Sequence, residues 1–312
     1  MRIVFMGTPD FAVASLQHLV EGGKNVVAVI TAPDKPAGRG RKLRPSAVKE
    51  YAQSQGLHLL QPTNLKDPDF LEELDALNPD LNVVVAFRML PKVVWDMPTH
   101  GTINLHASLL PQYRGAAPIN WAIINGEEIS GVTTFFINEK IDTGAILQQR
   151  EVAIDIDDTA GTYHDKLMDG GAQLLLETVN NIEAGTTSPR PQDHTMAKKD
   201  APKIFKEDTR IDFDRKAADV YNFIRGLSPY PAATAVLNSG GEEFGLKIFE
   251  VSLSDDPSTK PGEVISDNKN YMKVGCNDYC LEIKSLQMAG KKRVDIKGFL
   301  NGFKIDEGTY IA

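Results

Sequence analysis

The chain predicts an α/β first part, a doubly wound and mainly parallel Rossmann-like sheet, followed by a small β-barrel. Short, strongly apolar runs at 2–6, 26–31 and 81–87 alternate with segments of helical spacing, the pattern of strands joined by right-handed crossovers. Between 186 and 206 the text changes to Pro, Thr, Asp and Lys, which reads as a crossing linker. Beyond it come five short strands punctuated by turn signals, the spacing of a small barrel. At 312 residues the chain exceeds one typical domain, so the expected division is 1–188, a linker at 189–206, and 207–312.

Element by element, Arg2 to Met6 reads as a buried strand. Thr8 is the expected cap of a helix with Pro9 in its first turn and helical spacing from Phe11 to Leu19. A second strand spans Val26 to Thr31. A basic loop follows, then a helix over Ser46 to Gln55, an extended Leu57 to Gln61, a helix over Asp67 to Leu77 and the apolar strand Leu81 to Phe87. Ala145 to Ile154 reads as a strand, and Thr159 as the cap of a long helix reaching Ile182. After the linker, a helix over Lys216 to Leu227 leads to strands at Ala232–Leu237, Leu246–Val251, Gly262–Ile265, Tyr271–Val274 and Tyr279–Leu286.

Composition excludes several classes. No apolar run approaches the roughly 20 residues of a membrane span, and the N-terminus enters a strand without a signal-peptide layout, so a cytoplasmic protein is expected. Cys276 and Cys280 are the only cysteines and lack further ligands at metal spacing; both read as packed thiols, and no metal is expected. A net charge of −8 argues against coating nucleic acid by bulk electrostatics, although charge can still be arranged in patches. The first turn, Gly7-Thr8-Pro9-Asp10, lacks the glycine spacing that cradles a dinucleotide phosphate, which disfavours a dehydrogenase.

The residues with the most chemistry are Asn104, His106 and Asp142. On an extended strand, positions i and i+2 share a face, so the Asn104 amide and the His106 imidazole can address one reacting atom. A Pro/Gly-punctuated loop follows His106 directly, and Asp142 ends a second apolar strand; sites in open α/β sheets lie beyond such strand ends. No Ser or Cys in a nucleophile elbow lies between the two segments, so the nucleophile of an acyl transfer would come from a substrate. The plain alternatives are satisfied turn residues for the pair and a turn or capping aspartate for Asp142.

The run Asn104-Leu105-His106-Ala107-Ser108-Leu109-Leu110-Pro111 with Tyr113-Arg114-Gly115, then Asp142-Thr143-Gly144, resembles the folate-dependent formyltransferases. The resemblance covers nearly the whole chain. Gly7 to Ala12, Pro36 to Gly40 and Leu286 to Arg293 are similar to the branch of the family that acts on initiator methionyl-tRNA. It implies formyl transfer from 10-formyltetrahydrofolate through a tetrahedral intermediate, an oligonucleotide-fold-like C-terminal barrel that contacts tRNA, and a monomer. In that chemistry Asn104 and His106 would stabilise the developing oxyanion, worth roughly 3 to 4 kcal/mol per donor in comparable sites. Asp142 would keep His106 protonated and position a proton-relaying water.

For the folate, the resemblance points to the loop at the end of the Leu81 strand, with Phe87, Arg88, Met89 and Leu90, and to Ser108, Leu109, Leu110 and Pro111 as the wall behind His106. This loop departs from the commoner Tyr-Gly version and is one residue shorter, as in relatives that formylate glycinamide ribonucleotide. For the tRNA, it points to the basic loop, where Lys35, Arg39, Arg41, Lys42, Arg44 and Lys49 stand against a single aspartate. Arg39 and Lys42 are the leading contacts, Arg41 and Arg44 the next, and Lys291, Lys292 and Arg293, with Lys297 and Lys304, form a second patch. Taken alone, such a basic loop is equally a solvated face. An amino-sugar formyltransferase, suggested by Ala117 to Trp121, and an RNA-binding module with a non-catalytic α/β half remain the alternatives.

Overall fold

The computed structural model describes residues 1–37, 42–258 and 260–312, and the side chains of all of these except 37 and 42. Arg39 and Arg41 therefore lie outside the described residues. The chain forms two compact units that are not contiguous in sequence. The first holds Met1–Gly115, Ile129–Ala153 and His164–Asp200; the second holds Ala116–Glu128, Ile154–Tyr163 and Ala201–Ala312.

In the first unit the elements run β1 (Arg2–Gly7), α1 (Asp10–Glu21), β2 (Asn25–Ile30), a hairpin of β3 (Lys35–Ala37) and β4 (Lys42–Arg44), α2 (Ala47–Ser54), β5 (Leu59–Leu60), α3 (Pro68–Ala76), β6 (Leu81–Val85), α4 (Lys92–Trp95), β7 (Thr102–His106) and the short β8 (Arg114–Gly115). After α5 (Pro118–Ile124) come β9 (Ile129–Phe136), β10 (Ile146–Ala153) and α6 (Ala160–Glu183). The sheet order is β10-β9-β7-β6-β1-β2-β5. From β7 through β5 neighbouring strands are parallel, and β9 and β10 add an antiparallel edge.

The sequence explains this placement. Every residue of β6 is buried, as a strand covered on both faces requires, and Val4, Met6, Ala28, Ile30 and Val84 pack with Leu74, Phe70 and Val94 in one apolar cluster. Three helix starts follow capping chemistry. Ser46 accepts from the Lys49 N–H at 3.1 Å, Asp67 from the Asp69 N–H, and Thr159 from the Thr162 N–H. Thr8, expected to cap α1, does not; Pro9 holds that position and no side chain caps the helix. Ser46 also shares a 2.8 Å hydroxyl contact with Thr31 at the foot of the β3–β4 hairpin. Ser46→Ala should lower stability by about 1 kcal/mol. Denaturant unfolding that shows no shift in midpoint would contradict that value.

The second unit is an antiparallel barrel. The short β11 (Asp200–Ala201) falls at the boundary of the two units, and the elements of the second are α7 (Ala217–Leu227), β12 (Ala233–Ser239), β13 (Glu242–Pro257), β14 (Val264–Ser266), β15 (Met272–Gly275), β16 (Tyr279–Met288), β17 (Val294–Asp295), α8 (Ile296–Leu300) and β18 (Tyr310–Ile311). The strand order is β14-β15-β16-β13-β12-β18, and a bridge between Glu263 and Tyr310 links the two ends of that path. All five strands expected from the sequence are present. The two-residue β17 and β18 are not visible in periodicity, because they are too short to show one.

Two segments from the first half of the chain belong to this unit for identifiable reasons. Asn120 on α5 donates to the Gly226 carbonyl at 2.7 Å, and Ile124 joins the barrel's apolar core. Arg225, 7% exposed, donates to the carbonyls of Asp155 and Asp158. A buried guanidinium needs such acceptors, and the 154–163 segment supplies them. Cys276 and Cys280 are both buried and unpaired; burial pushes the Cys276 thiol up to about 12, so it behaves as a packed hydrophobe. Among the described residues no helix is long and apolar enough to cross a membrane.

Candidate active site

His106 is the last residue of β7 and Asn104 lies two residues before it, so the strand's pleat puts both side chains on one face. The imidazole is 6% exposed, meets the Phe135 ring edge-on, and has a partner at each nitrogen. Nε2 lies 2.8 Å from the Tyr113 carbonyl, and Nδ1 lies 3.7 Å from Oδ2 of Asp142. A carbonyl only accepts, so Nε2 carries the proton and Nδ1 is the nitrogen turned to the carboxylate. The Asn104 side chain has no hydrogen-bond partner among the described residues and is half-buried, which leaves its amide free to meet an incoming group.

Asp142 does not end a strand, as the sequence suggested. It sits in the turn between β9 and β10 with φ +53°, and Oδ2 accepts the Gly115 N–H at 2.9 Å. Asn138 braces the same turn, accepting from the Lys140 N–H and the Thr143 hydroxyl. Left-handed backbone also occurs at Ala86, just past β6, and at Tyr113, in the loop after β7. Non-glycine residues there are uncommon, and such strain concentrates where a surrounding structure fixes functional groups. Ala86 and Tyr113 lie in loops that follow the parallel strands β6 and β7, and Asp142 in the turn after the antiparallel β9.

The wall behind His106 is also in place. Ser108 is fully buried and donates to the Gln112 carbonyl; Leu110 packs with Phe135 and Ile146; Leu109 is half-buried, as is Pro111. Buried Thr133 accepts from the Leu110 N–H and donates to the Ser108 carbonyl, fixing the loop's path. The 87–90 loop divides its residues differently. Leu90 and Phe87 pack into the first unit's core, Met89 is exposed, and Arg88 donates to the carbonyls of Pro62 and Thr63.

The segment from 189 to 200 has the composition of a linker. This stretch packs against the site. The Tyr113 N–H donates to the Lys199 carbonyl at 2.6 Å, and Oε1 of Gln112 accepts from the N–H groups of Lys198 and Lys199. Gln192, 7% exposed, donates through Nε2 to the carbonyls of Asp142 and Gly144. A glutamine among Pro, Asp and Thr carries no periodic signal, so only its contacts reveal it.

The cationic residues are distributed over both units. In the hairpin, Lys35 pairs across the ladder with Arg44, and both are exposed without an ion pair among the described residues. Lys42 stands on β4. Asp34, the nearby acid, is already committed: Lys49 and Gln61 donate to it, and the Lys49 ammonium holds its carboxyl below the usual range. In the second unit Lys291 and Lys292 are exposed in the turn after β16, while Arg293 is engaged by Ser285 and lies over the Phe249 ring. The second unit also contains a cavity of about 420 Å³ whose lining includes Lys203, Lys206, Lys247, Phe205 and Tyr230.

Residues 1–179 match the model of the formyl transferase family and residues 203–304 match that of the formyl transferase C-terminal domain. The chain is 55% identical to methionyl-tRNA formyltransferase of Parabacteroides distasonis, over 97% of this chain and 96% of that protein. It is 51% identical to the enzyme of the same name from Flavobacterium johnsoniae, with 98% of each chain covered. Among solved structures, an N-formyltransferase from Helicobacter canadensis in complex with folinic acid and dTDP-3-aminofucose superposes with a TM-score of 0.68 at 21% identity, over 94% of this chain and 99% of that one, a likeness of fold. With the strand-end Asn104 and His106, the facing Asp142 and the full-length matches together, the chain belongs to the formyl transferase family.

Proposed function

We propose that this chain transfers the formyl group of 10-formyltetrahydrofolate to the α-amino group of methionine carried by initiator methionyl-tRNA, at a site built from Asn104, His106 and Asp142. Full-length identity of 51–55% to proteins named for this reaction carries the assignment of the acceptor. The chemistry follows from the site. The folate supplies the formyl group. The methionine amine adds to the formyl carbon, the carbonyl oxygen gains negative charge, and N10 of the folate leaves as an amine after receiving a proton. Asn104 offers an amide N–H to that oxygen. His106, fixed by Tyr113 on one side and Asp142 on the other, holds and passes the proton that the attacking amine must lose. No side-chain nucleophile is needed, because the substrate brings its own.

We take the 87–90 loop and the 108–111 wall as the folate pocket, a reading the resemblance supports. The fit favours backbone recognition in the first of these, since Arg88 is occupied by carbonyls and Leu90 by the core. Ser108, Leu109, Leu110 and Pro111 act as shape behind His106. For the tRNA, the hairpin supports the reading: like charges facing each other at Lys35 and Arg44 repel unless an anion lies over them, and a phosphate backbone is such an anion. Arg39, Arg41, Lys42 and Arg44 are the proposed contacts of the first unit, and Lys291 and Lys292, with Arg293, those of the second, where the lysine- and aromatic-lined cavity adds surface suited to phosphate and base.

Transfer of labelled formyl from 10-formyltetrahydrofolate tests the proposal when charged initiator tRNA is run beside uncharged tRNA, glycinamide ribonucleotide and a nucleotide amino sugar. Label on methionyl-tRNA alone is expected; label on a small amine would keep the chemistry and overturn the acceptor. Removing one phosphate contact, as in Arg44→Ala, should reduce the slope of log affinity for tRNA against log salt by about 1. An unchanged slope would remove Arg44 from the tRNA surface.

A further inference from the structure

We propose that Gln192 is a positioning residue for formyl transfer, holding the Asp142 turn against β8 so that the carboxylate faces His106; this rests on the reading of Asp142 as part of the transfer site. The amide makes four hydrogen bonds of fixed polarity. Nε2 donates to the carbonyl of Asp142 at 3.0 Å and to that of Gly144 at 2.8 Å, while Oε1 accepts from Nε and Nη2 of Arg114 at 3.2 and 2.5 Å. Carbonyls only accept and a guanidinium only donates, so one side chain must present two N–H groups on one side and an oxygen on the other. Only a primary amide does this.

These bonds close a ring. Gly115, the neighbour of Arg114, donates its N–H to Oδ2 of Asp142, the same oxygen that lies 3.7 Å from Nδ1 of His106. Gln192 thus ties the backbone of Asp142 to the residue beside the one that holds its carboxylate. Arg114 is anchored in turn by Nδ1 of His194, at 3.0 Å, so the 189–200 segment grips it twice. At φ +53° the Asp142 backbone lies outside the broad basins, and external bonds are what keep it there. A displacement of about 1 Å in a group that acts on the reacting atoms lowers turnover by about 10²-fold.

Gln192→Glu isolates the donor half. The carboxylate keeps Arg114 but points oxygens at two carbonyls; as pH falls and it takes up a proton, one donor returns. In the full-length protein at pH 8, kcat should fall about 10- to 100-fold with KM for folate and for methionyl-tRNA within about threefold, the pattern of a lost transition-state alignment. The deficit relative to the unmodified protein should narrow at least about threefold by pH 6. Gln192→Leu should show the loss without the recovery. A purely structural role would lower the unfolding temperature and the active fraction while leaving the ratio of kcat values flat with pH, and a flat ratio, or a loss confined to KM, overturns the proposal. Asp142→Asn is measured alongside. If it is as active as the unmodified protein, the catalytic reading of Asp142 falls and Gln192 with it; if Asp142→Asn is impaired and both Gln192 variants are not, only the positioning role fails.

Discussion

His106→Ala is expected to lower kcat for formyl transfer by about 10³-fold, and Asp142→Asn by about 10²-fold, with KM for both substrates changed little. General acid–base groups contribute about 10²- to 10⁴-fold, and among the described residues His106 is the imidazole that joins the β7 end to the Asp142 carboxylate. Asparagine at 142 can still accept the Gly115 N–H, so the turn is retained and only the charge opposite Nδ1 is lost. Alanine at 106 has a second effect that must be separated out. It strips the buried Tyr113 carbonyl of its side-chain donor, at a stability cost of about 1 to 3 kcal/mol. His106→Gln, which keeps a donor of similar reach but cannot carry a proton between groups, is the control. If the glutamine variant turns over at the unmodified rate, His106 holds the loop and does not move protons. The two substitutions combined should cost little more than His106→Ala alone if Asp142 acts through the imidazole. Independent multiplication of the losses would assign Asp142 a separate role.

How much of this site could be read from the sequence depended on what kind of signal each residue leaves. Asn104 and His106 lie on a strand, where a period of two fixes the face, so their shared orientation followed from spacing alone. Asp142 was found by its motif and not by its geometry: a left-handed turn residue six positions past the end of β9 has no period, and the text suggested a strand end. Gln192 and the 189–200 segment leave neither a period nor a motif. Proline, aspartate and lysine are the composition of a solvated linker, and what makes this stretch structural is a set of backbone and amide bonds to residues some 80 positions away. The same limit applies to the two units. The barrel's individual strands followed the local pattern, whereas their order and the recruitment of 116–128 and 154–163, which rests on carbonyls offered to Arg225 and an amide bond from Asn120, only long-range contact reveals.

Gly144→Ala should be the most disruptive single-methyl addition in the first unit, costing about 3 kcal/mol or more and taking most of the activity with it. Gly144 is not needed for a left-handed backbone; it is needed for space. A Cβ built there would lie 1.7 Å from the Phe136 carbonyl oxygen and 2.8 Å from its carbon. That neighbour is backbone at the end of β9, held by the Phe136 N–H donating to the Ala145 carbonyl at 2.9 Å, so it cannot swing aside as a side-chain tip would. Overpacking of an ordinary core costs about 1 to 3 kcal/mol, and a contact against fixed backbone falls at or beyond the upper end. Relief requires β9 and the start of β10 to part, which breaks the Gln192 bond to the Gly144 carbonyl and shifts the adjoining Asp142 turn. Loss of stability and loss of kcat should therefore appear together. Gly56→Ala separates this from backbone conformation: φ is +65° there with nothing within 4 Å of the added carbon, so only the left-handed penalty of about 1 kcal/mol applies and kcat should be unaffected. Denaturant unfolding and steady-state kinetics on the two variants decide the matter. A Gly144→Ala protein as stable and as active as the unmodified chain would mean that the β9–β10 turn has room to yield, and that the placement of Asp142 does not depend on the close approach of Gly144 to Phe136.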